Sequence, residues 1–129
     1  MIVGERIVEV SGKKEAPANI KGLAINISVN DTRVNGEEVE VDYEYLASYE
    51  EKVGTIKIKG TILAREDKKV AKDIADEWKK SKKLPDIYAE MMLSAINYSG
   101  SANGTLVARV MNLTAPLIPP KIQLSKQTK

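Results

Sequence analysis

The sequence predicts an α+β fold, an antiparallel β-meander sheet of three to four strands with helices packed on one face. Three observations carry this. Apolar and polar residues alternate with period two through 23–65. Apolar residues recur every four positions through 67–111. A chain of 129 residues, 43% hydrophobic and 29% charged, has the length of one domain and enough apolar side chains for a real core. The expected organisation is a single domain, 1–129: a loop-rich start (1–21), antiparallel strands (22–65), helices (67–111) and an extended C-terminal segment (112–129).

The start holds a short apolar patch, Ile7, Val8 and Val10, read as a short strand. A Gly/Pro-bearing polar stretch from Ser11 to Asn19 follows and reads as irregular loop. In the middle, Leu23, Ile25, Ile27 and Val29 alternate with polar or small residues. So do Val39, Val41, Tyr43, Tyr45, Ala47 and Tyr49, and then Ile56, Ile58, Ile62 and Ala64. β-Branched and aromatic residues at period two are the pattern of strands with one buried face. Asn35-Gly36 sits between the first two runs and predicts a tight hairpin of a primed type. Glu50 to Gly54 supplies the second reversal. The other face of the meander is charged: Glu38, Glu40, Asp42 and Glu44 on one strand, Lys57, Lys59 and Arg65 on its neighbour. These read as cross-strand ion pairs on a solvated face. A metal site is not expected there, because alternate strand residues point parallel and do not converge on one ion.

In 67–80, Val70, Ile74 and Trp78 form one apolar stripe, flanked by Ala71 and Ala75. Lys79, Lys80, Lys82 and Lys83 follow, where positive charge suits the C-terminal end of a helix dipole. Leu84-Pro85 opens a second helix. Its residues 87–98 are apolar around most of the circumference, with only Asp86, Glu90, Ser94 and Asn97 as a narrow polar stripe. One sheet covers only one side of such a helix, so the other side calls for a second chain or a ligand. Leu106 and Val110 keep the four-residue spacing past the small residues 99–104, which predicts continuation to about Met111 and close approach of a neighbouring element. Asn112 to Pro120 is extended, because its prolines forbid helix.

The chain has no Cys and no His, which removes disulfides, thiolate nucleophiles, zinc–thiolate sites and imidazole catalysis. No phosphate-binding glycine loop, dinucleotide fingerprint or serine elbow is present. Ser81 lies between Lys80 and Lys82, but lysines in a solvated helix end stay protonated and do not activate a serine. No catalytic residue, metal ligand or cofactor is expected. A net charge of +2 gives no reason to expect nucleic acid or membrane as partner. No basic region followed by an apolar stretch opens the chain, so the expected location is the cytoplasm. A Lys/Glu-rich chain without Cys is compatible with a thermophile. Sequons begin at Asn30, Asn97, Asn103 and Asn112, and without a secretion signal they carry no reading. Two features remain: a row of tyrosines, whose hydroxyls need water or a partner when buried, and the adaptable pair Met91-Met92.

The order of elements resembles the SecB-type export chaperones and their archaeal SecB-like relatives. Val39 to Tyr49 followed by Val53 to Ile62 is similar to that family's second and third strands. Leu84-Pro85-Asp86-Ile87-Tyr88-Ala89-Glu90 is similar to the start of its long helix, and Asn112-Leu113-Thr114-Ala115-Pro116 to the segment after it. Glu15-Ala16-Pro17 matches faintly near the start. The resemblance implies a homo-oligomer, dimer or tetramer, with self-association through Tyr88, Ala95, Ser99, Ala102 and Leu106. It implies an ATP-independent holdase that binds unfolded polypeptide in an apolar groove of Tyr43, Tyr45, Tyr49, Ile56, Ile58, Ile62, Met91 and Met92. The bacterial members are acidic and carry a C-terminal extension, whereas this chain is slightly basic and ends on Lys126-Gln127-Thr128-Lys129. Service to an export motor is therefore less expected than general anti-aggregation work or one dedicated client. The alternative is a non-enzymatic oligomeric interaction protein whose apolar surface serves only self-association.

Overall fold

The computed structural model describes residues 1–15, 22–50 and 53–116. Four strands, β1 (Ile2–Lys14), β2 (Leu23–Asn35), β3 (Glu38–Tyr49) and β4 (Gly54–Arg65), precede two helices, α1 (Lys68–Ser81) and α2 (Asp86–Met111). The sheet is antiparallel with strand order β1-β4-β3-β2. The meander β2-β3-β4 is thus as expected, and β1 closes its far side against β4. β1 and β2, consecutive in sequence, form the two edges.

The expected loop-rich start is mostly strand. β1 runs for 13 residues, longer than its apolar patch suggested. Its alternation is hidden because register shifts between Ile2 and Gly4 and between Ile7 and Glu9 each change which residue faces which side. Residues 16–21, 51–52 and 117–129, including the second part of the expected loop and most of the proline-rich end, lie outside the described residues.

Side-chain alternation sets the layers. On β3, Val39, Val41, Tyr43, Tyr45, Ala47 and Tyr49 are all buried, while their alternates are half-buried or exposed. They join Ile27 of β2 and Ile56, Ile58, Ile62 and Ala64 of β4 in one core beneath the helices. The β2–β3 turn is the residue pair Gly36-Glu37, with Asn35 opposite Glu38. Only Gly36 has a positive φ, +66°, the pattern of a II′ turn, whose twist matches that of the strands.

The outer face carries the charges. Arg33 of β2 reaches both carboxylate oxygens of Asp42, at 2.7 and 2.9 Å, and also Glu40 and Asp31. Thr61 donates to the same Asp42 from the other side. Glu38 pairs with Arg65, its register partner, as the sequence predicted.

α1 is capped by the Asp67 side chain, which accepts from the Val70 amide at 2.9 Å. It buries Ala71, Ile74 and Trp78, and lies over β2. It ends at Lys82, whose backbone is left-handed. α2 is unbroken over 26 residues, so the small-residue segment 99–104 continues the helix. It ends at Asn112, left-handed at φ +58°, with the Leu113 amide returning to the Ala108 carbonyl.

Candidate functional site

Contact with the sheet is made by Tyr88, Met92, Ile96, Ser99, Gly100, Gly104 and Ala108 of α2, steps of three and four that hold one face of a helix against a surface. The approach is close because glycine stands where α2 crosses the tyrosine row. A Cβ on Gly100 would lie 2.2 Å from the Tyr45 ring, and one on Gly104 2.9 Å from Pro116. Pro116 is itself fully buried, so the segment after α2 folds back under the helix.

Two of the tyrosine hydroxyls find partners inside the protein. Tyr43 donates to the carboxylate of Glu5 on β1, and Tyr49 to the backbone carbonyl of Thr114. Ser99 of α2 also donates to Glu5, and Asn103 donates to Ser99. The hydroxyls of Tyr45 and Tyr88 have no well-formed hydrogen bond. Their neighbouring polar groups are Ser101 and Glu66 respectively. Burial pushes the phenols of Tyr43, Tyr45, Tyr49 and Tyr88 above their ordinary value, and the Glu5 and Glu66 carboxyls add to the rise at Tyr43 and Tyr88.

This geometry decides where the expected groove residues sit. Tyr43, Tyr45, Tyr49, Ile56, Ile58, Ile62 and Met92 are together, and all are buried, at most 3% exposed. They form the core under α2 and, among the described residues, line no open groove. Met91 is at the surface, because neighbours on a helix point about 100° apart and cannot both face the sheet. The expected self-association set also divides. Tyr88 and Ser99 face the core, Ala95 is half-buried, and Ala102 and Leu106 face solvent. Sequence reasoning missed Glu5 and Thr114, and it placed Ser99 in self-association where the structure sets it against Glu5. The β1 register shift turns Glu5 to the inner side, and no alternation pattern reveals that.

The solvent-facing side of α2 carries large apolar side chains among the polar Asp86, Glu90, Ser94 and Arg109. Ile87 (84%), Met91, Tyr98 (79%), Leu106 (62%) and Val110 (86%) are all exposed. They do not form one straight seam. At about 100° per residue, Ile87, Met91 and Tyr98 fall within about 40° of one another, while Leu106 and Val110 point about 100–140° away from Ile87. Val107 and Met111 pack on Gly12 of β1, so Leu106 and Val110, their neighbours, stand on the flank beside β1. β1 adds exposed Ile7, Val8 and Val10. The structure thus presents two apolar areas, one on the first half of α2 and one shared by its second half and β1. Among the described residues, no cluster of three or more acidic side chains is arranged to hold a metal ion. Among the same residues, no helix is long and apolar enough to cross a membrane.

No family model matches the sequence, and no curated protein matches it. A solved structure does: the SecB-like chaperone Rv1957 of Mycobacterium tuberculosis, in complex with a ChAD peptide from the Rv1956 HigA1 antitoxin. The likeness has a TM-score of 0.53 at 11% identity, over 92% of this chain and 88% of that one. The fold is SecB-like. The SecB-like architecture here comprises the four-stranded antiparallel sheet with both helices on its inner face.

Proposed function

We propose that this protein is an ATP-independent holdase, a non-enzymatic cytoplasmic homo-oligomer that binds unfolded polypeptide. The observation that carries the reading is the exposed apolar surface of α2. Ile87, Met91 and Tyr98 are exposed to water, and among the described residues their exposure has no packing purpose. The SecB-like fold supports the same reading, since the solved neighbour is a chaperone holding a peptide. The client surface moves from the inner tyrosine face to the outer side of α2, because the inner face is filled. The row along Leu106 and Val110, flanked by β1, is assigned to self-association.

A second reading is that self-association covers all of this surface. It is favoured by the length of α2, which carries exposed apolar residues from Ile87 to Val110. Light scattering of an unfolded client during refolding separates the two. Suppression at near-stoichiometric amounts, indifferent to ATP and weakened by Ile87→Ser with Tyr98→Ser, supports the holdase. No suppression with several clients, together with no binding of an apolar dye to the native oligomer, leaves self-association as the role of this surface.

A further inference from the structure

The basic end of α1 carries the densest run of cations among the described residues, four lysines in five positions. Elsewhere several cations have a carboxylate partner, Arg33 three of them, Arg65 Glu38, Lys57 Glu9 and Lys72 Asp76, while Lys59, Lys68, Lys69 and Arg109 stand singly or in a pair without one among the described residues. Lys79, Lys80, Lys82 and Lys83 are all exposed, and among the described residues none has a carboxylate within ion-pair distance. Of the nearby acids, Asp76 is engaged by Lys72 and Glu77 by the Ser81 hydroxyl, whereas Asp86 and Glu90 are exposed on the first turns of α2 and leave the four lysines a net excess of positive charge there. The Lys82 ammonium lies 6.0 Å from the centre of the Trp78 ring, at the outer range of a cation–π contact. Helix-end carbonyls attract such cations by a few tenths of a kcal/mol up to about 1 kcal/mol and only within the last turn, so four ammonium groups in five residues exceed what one helix end uses.

This unpaired cluster adjoins the first apolar area. Lys83 is four residues before Ile87, so their Cα atoms lie within about 14 Å even if the connection were fully extended. Met91 is one helical turn beyond, about 6 Å further. Leu84, between them, is buried and fixes the connection to the core. Cations and apolar side chains therefore stand along one short path on a rigid part of the fold. Charge complementarity selects its occupant. We infer that Lys79, Lys80, Lys82 and Lys83, with Ile87, Met91 and Tyr98, form one docking strip for unfolded segments that carry acidic residues next to apolar ones. Apolar contacts hold any unfolded segment, and the lysines raise both the encounter rate and the preference for acidic sequence. The inference rests on the polypeptide-binding reading and adds the client class to it.

The test is fluorescence anisotropy with three labelled, unstructured peptides of equal length, built on the same leucines interleaved with Glu, Ser or Lys. The Glu peptide is expected to bind tightest, and the advantage to shrink as salt rises. Replacing Lys79, Lys80, Lys82 and Lys83 together by Gln should weaken the Glu peptide about tenfold, at a few-fold per exposed charge contact, and leave the Ser peptide unchanged. Ile87→Ser should weaken all three alike. All replaced side chains are exposed, and circular dichroism checks that the variants are folded. Equal binding of the Glu and Lys peptides, or no effect of the Gln variant, overturns the acidic preference and leaves the holdase standing. Failure of every peptide to bind overturns the polypeptide-binding reading itself. Tighter binding to a single-stranded homopolymer or to anionic vesicles, lost in the Gln variant, also overturns the inference and reassigns the lysines.

Discussion

The Ser99 hydroxyl on α2 stands 2.8 and 2.7 Å from the two carboxylate oxygens of Glu5 on the edge strand β1. Tyr43 of β3 donates to the same carboxylate. One acid thus ties the edge strand, the sheet centre and the long helix together. Removing it leaves the buried Tyr43 hydroxyl without its partner, which costs about 1–3 kcal/mol. Glu5→Ala should lower the unfolding free energy by about 2 kcal/mol. Tyr43→Phe should cost much less in the Glu5→Ala background than alone, because the hydroxyl it removes is then already unpaired. Urea titrations of the four proteins complete the cycle. Additive costs would show that the carboxylate does not serve the phenol.

Gly100 is the point of closest approach between α2 and the sheet. A Cβ there would meet three atoms of the Tyr45 ring at 2.2–2.5 Å, and a buried ring has no free end to swing aside. Alanine would gain about 1 kcal/mol of helix propensity. Overpacking at such distances costs about 1–3 kcal/mol, more than the gain on average. Gly100→Ala should therefore destabilise on balance. At Gly104 the near atom is one ring carbon of Pro116, at 2.9 Å, and the next atoms lie at 3.8 and 3.9 Å, so the crowding is less. Gly104→Ala should be closer to neutral, and thermal melts of the two variants give the order.

Stability should fall at both ends of the pH scale for different reasons. The Arg33 guanidinium holds the Asp42 carboxyl below its ordinary value of 3.8, assisted by Thr61. A carboxyl depressed in the folded state contributes fully above its unfolded value and loses that contribution as pH falls through the folded one. The Asp42 contribution is thus present above about pH 4 and disappears below it. The pair is largely exposed, so the effect is modest. The phenols of Tyr43, Tyr45, Tyr49 and Tyr88 are raised by burial above 10.0. Their contribution is present below pH 10 and is lost as pH rises toward the folded values. Urea midpoints of wild type and Asp42→Asn should converge in acid. Above pH 10, tyrosinate absorbance should rise together with loss of the circular dichroism signal.

Much of this fold is legible in the sequence, and the exceptions have physical causes. The meander is readable because Val39 to Tyr49 alternates without interruption, one face buried throughout. The long helix is readable because its apolar spacing survives the small residues 99–104. β1 is not, since two register shifts break its phase and its outer position leaves most of it exposed. The inner tyrosine row reads as a candidate groove for a related reason. Sequence shows that hydroxyls on an apolar face need partners, but not that Glu5 and the Thr114 carbonyl supply them from distant parts of the chain. The over-apolar character of α2 is visible in sequence, whereas which side remains exposed depends on how the helix crosses the sheet.

The flank of Leu106 and Val110 should hold the oligomer together. Both point away from the core, beside the exposed Ile7, Val8 and Val10 of β1. An apolar side chain at the centre of an interface contributes about 2 kcal/mol or more when truncated, and a charge placed there costs at least as much. In a twofold assembly each substitution occurs twice, so Leu106→Glu should cost about 4 kcal/mol, close to a thousandfold in dissociation constant. Sedimentation should then show the variant as a folded monomer at concentrations where wild type is assembled. Ile87→Ser should leave the assembly intact, because Ile87 points about 100° away from Leu106 around the helix. A wild type that sediments as a monomer, or a Leu106→Glu variant that stays assembled, would remove this flank from the interface.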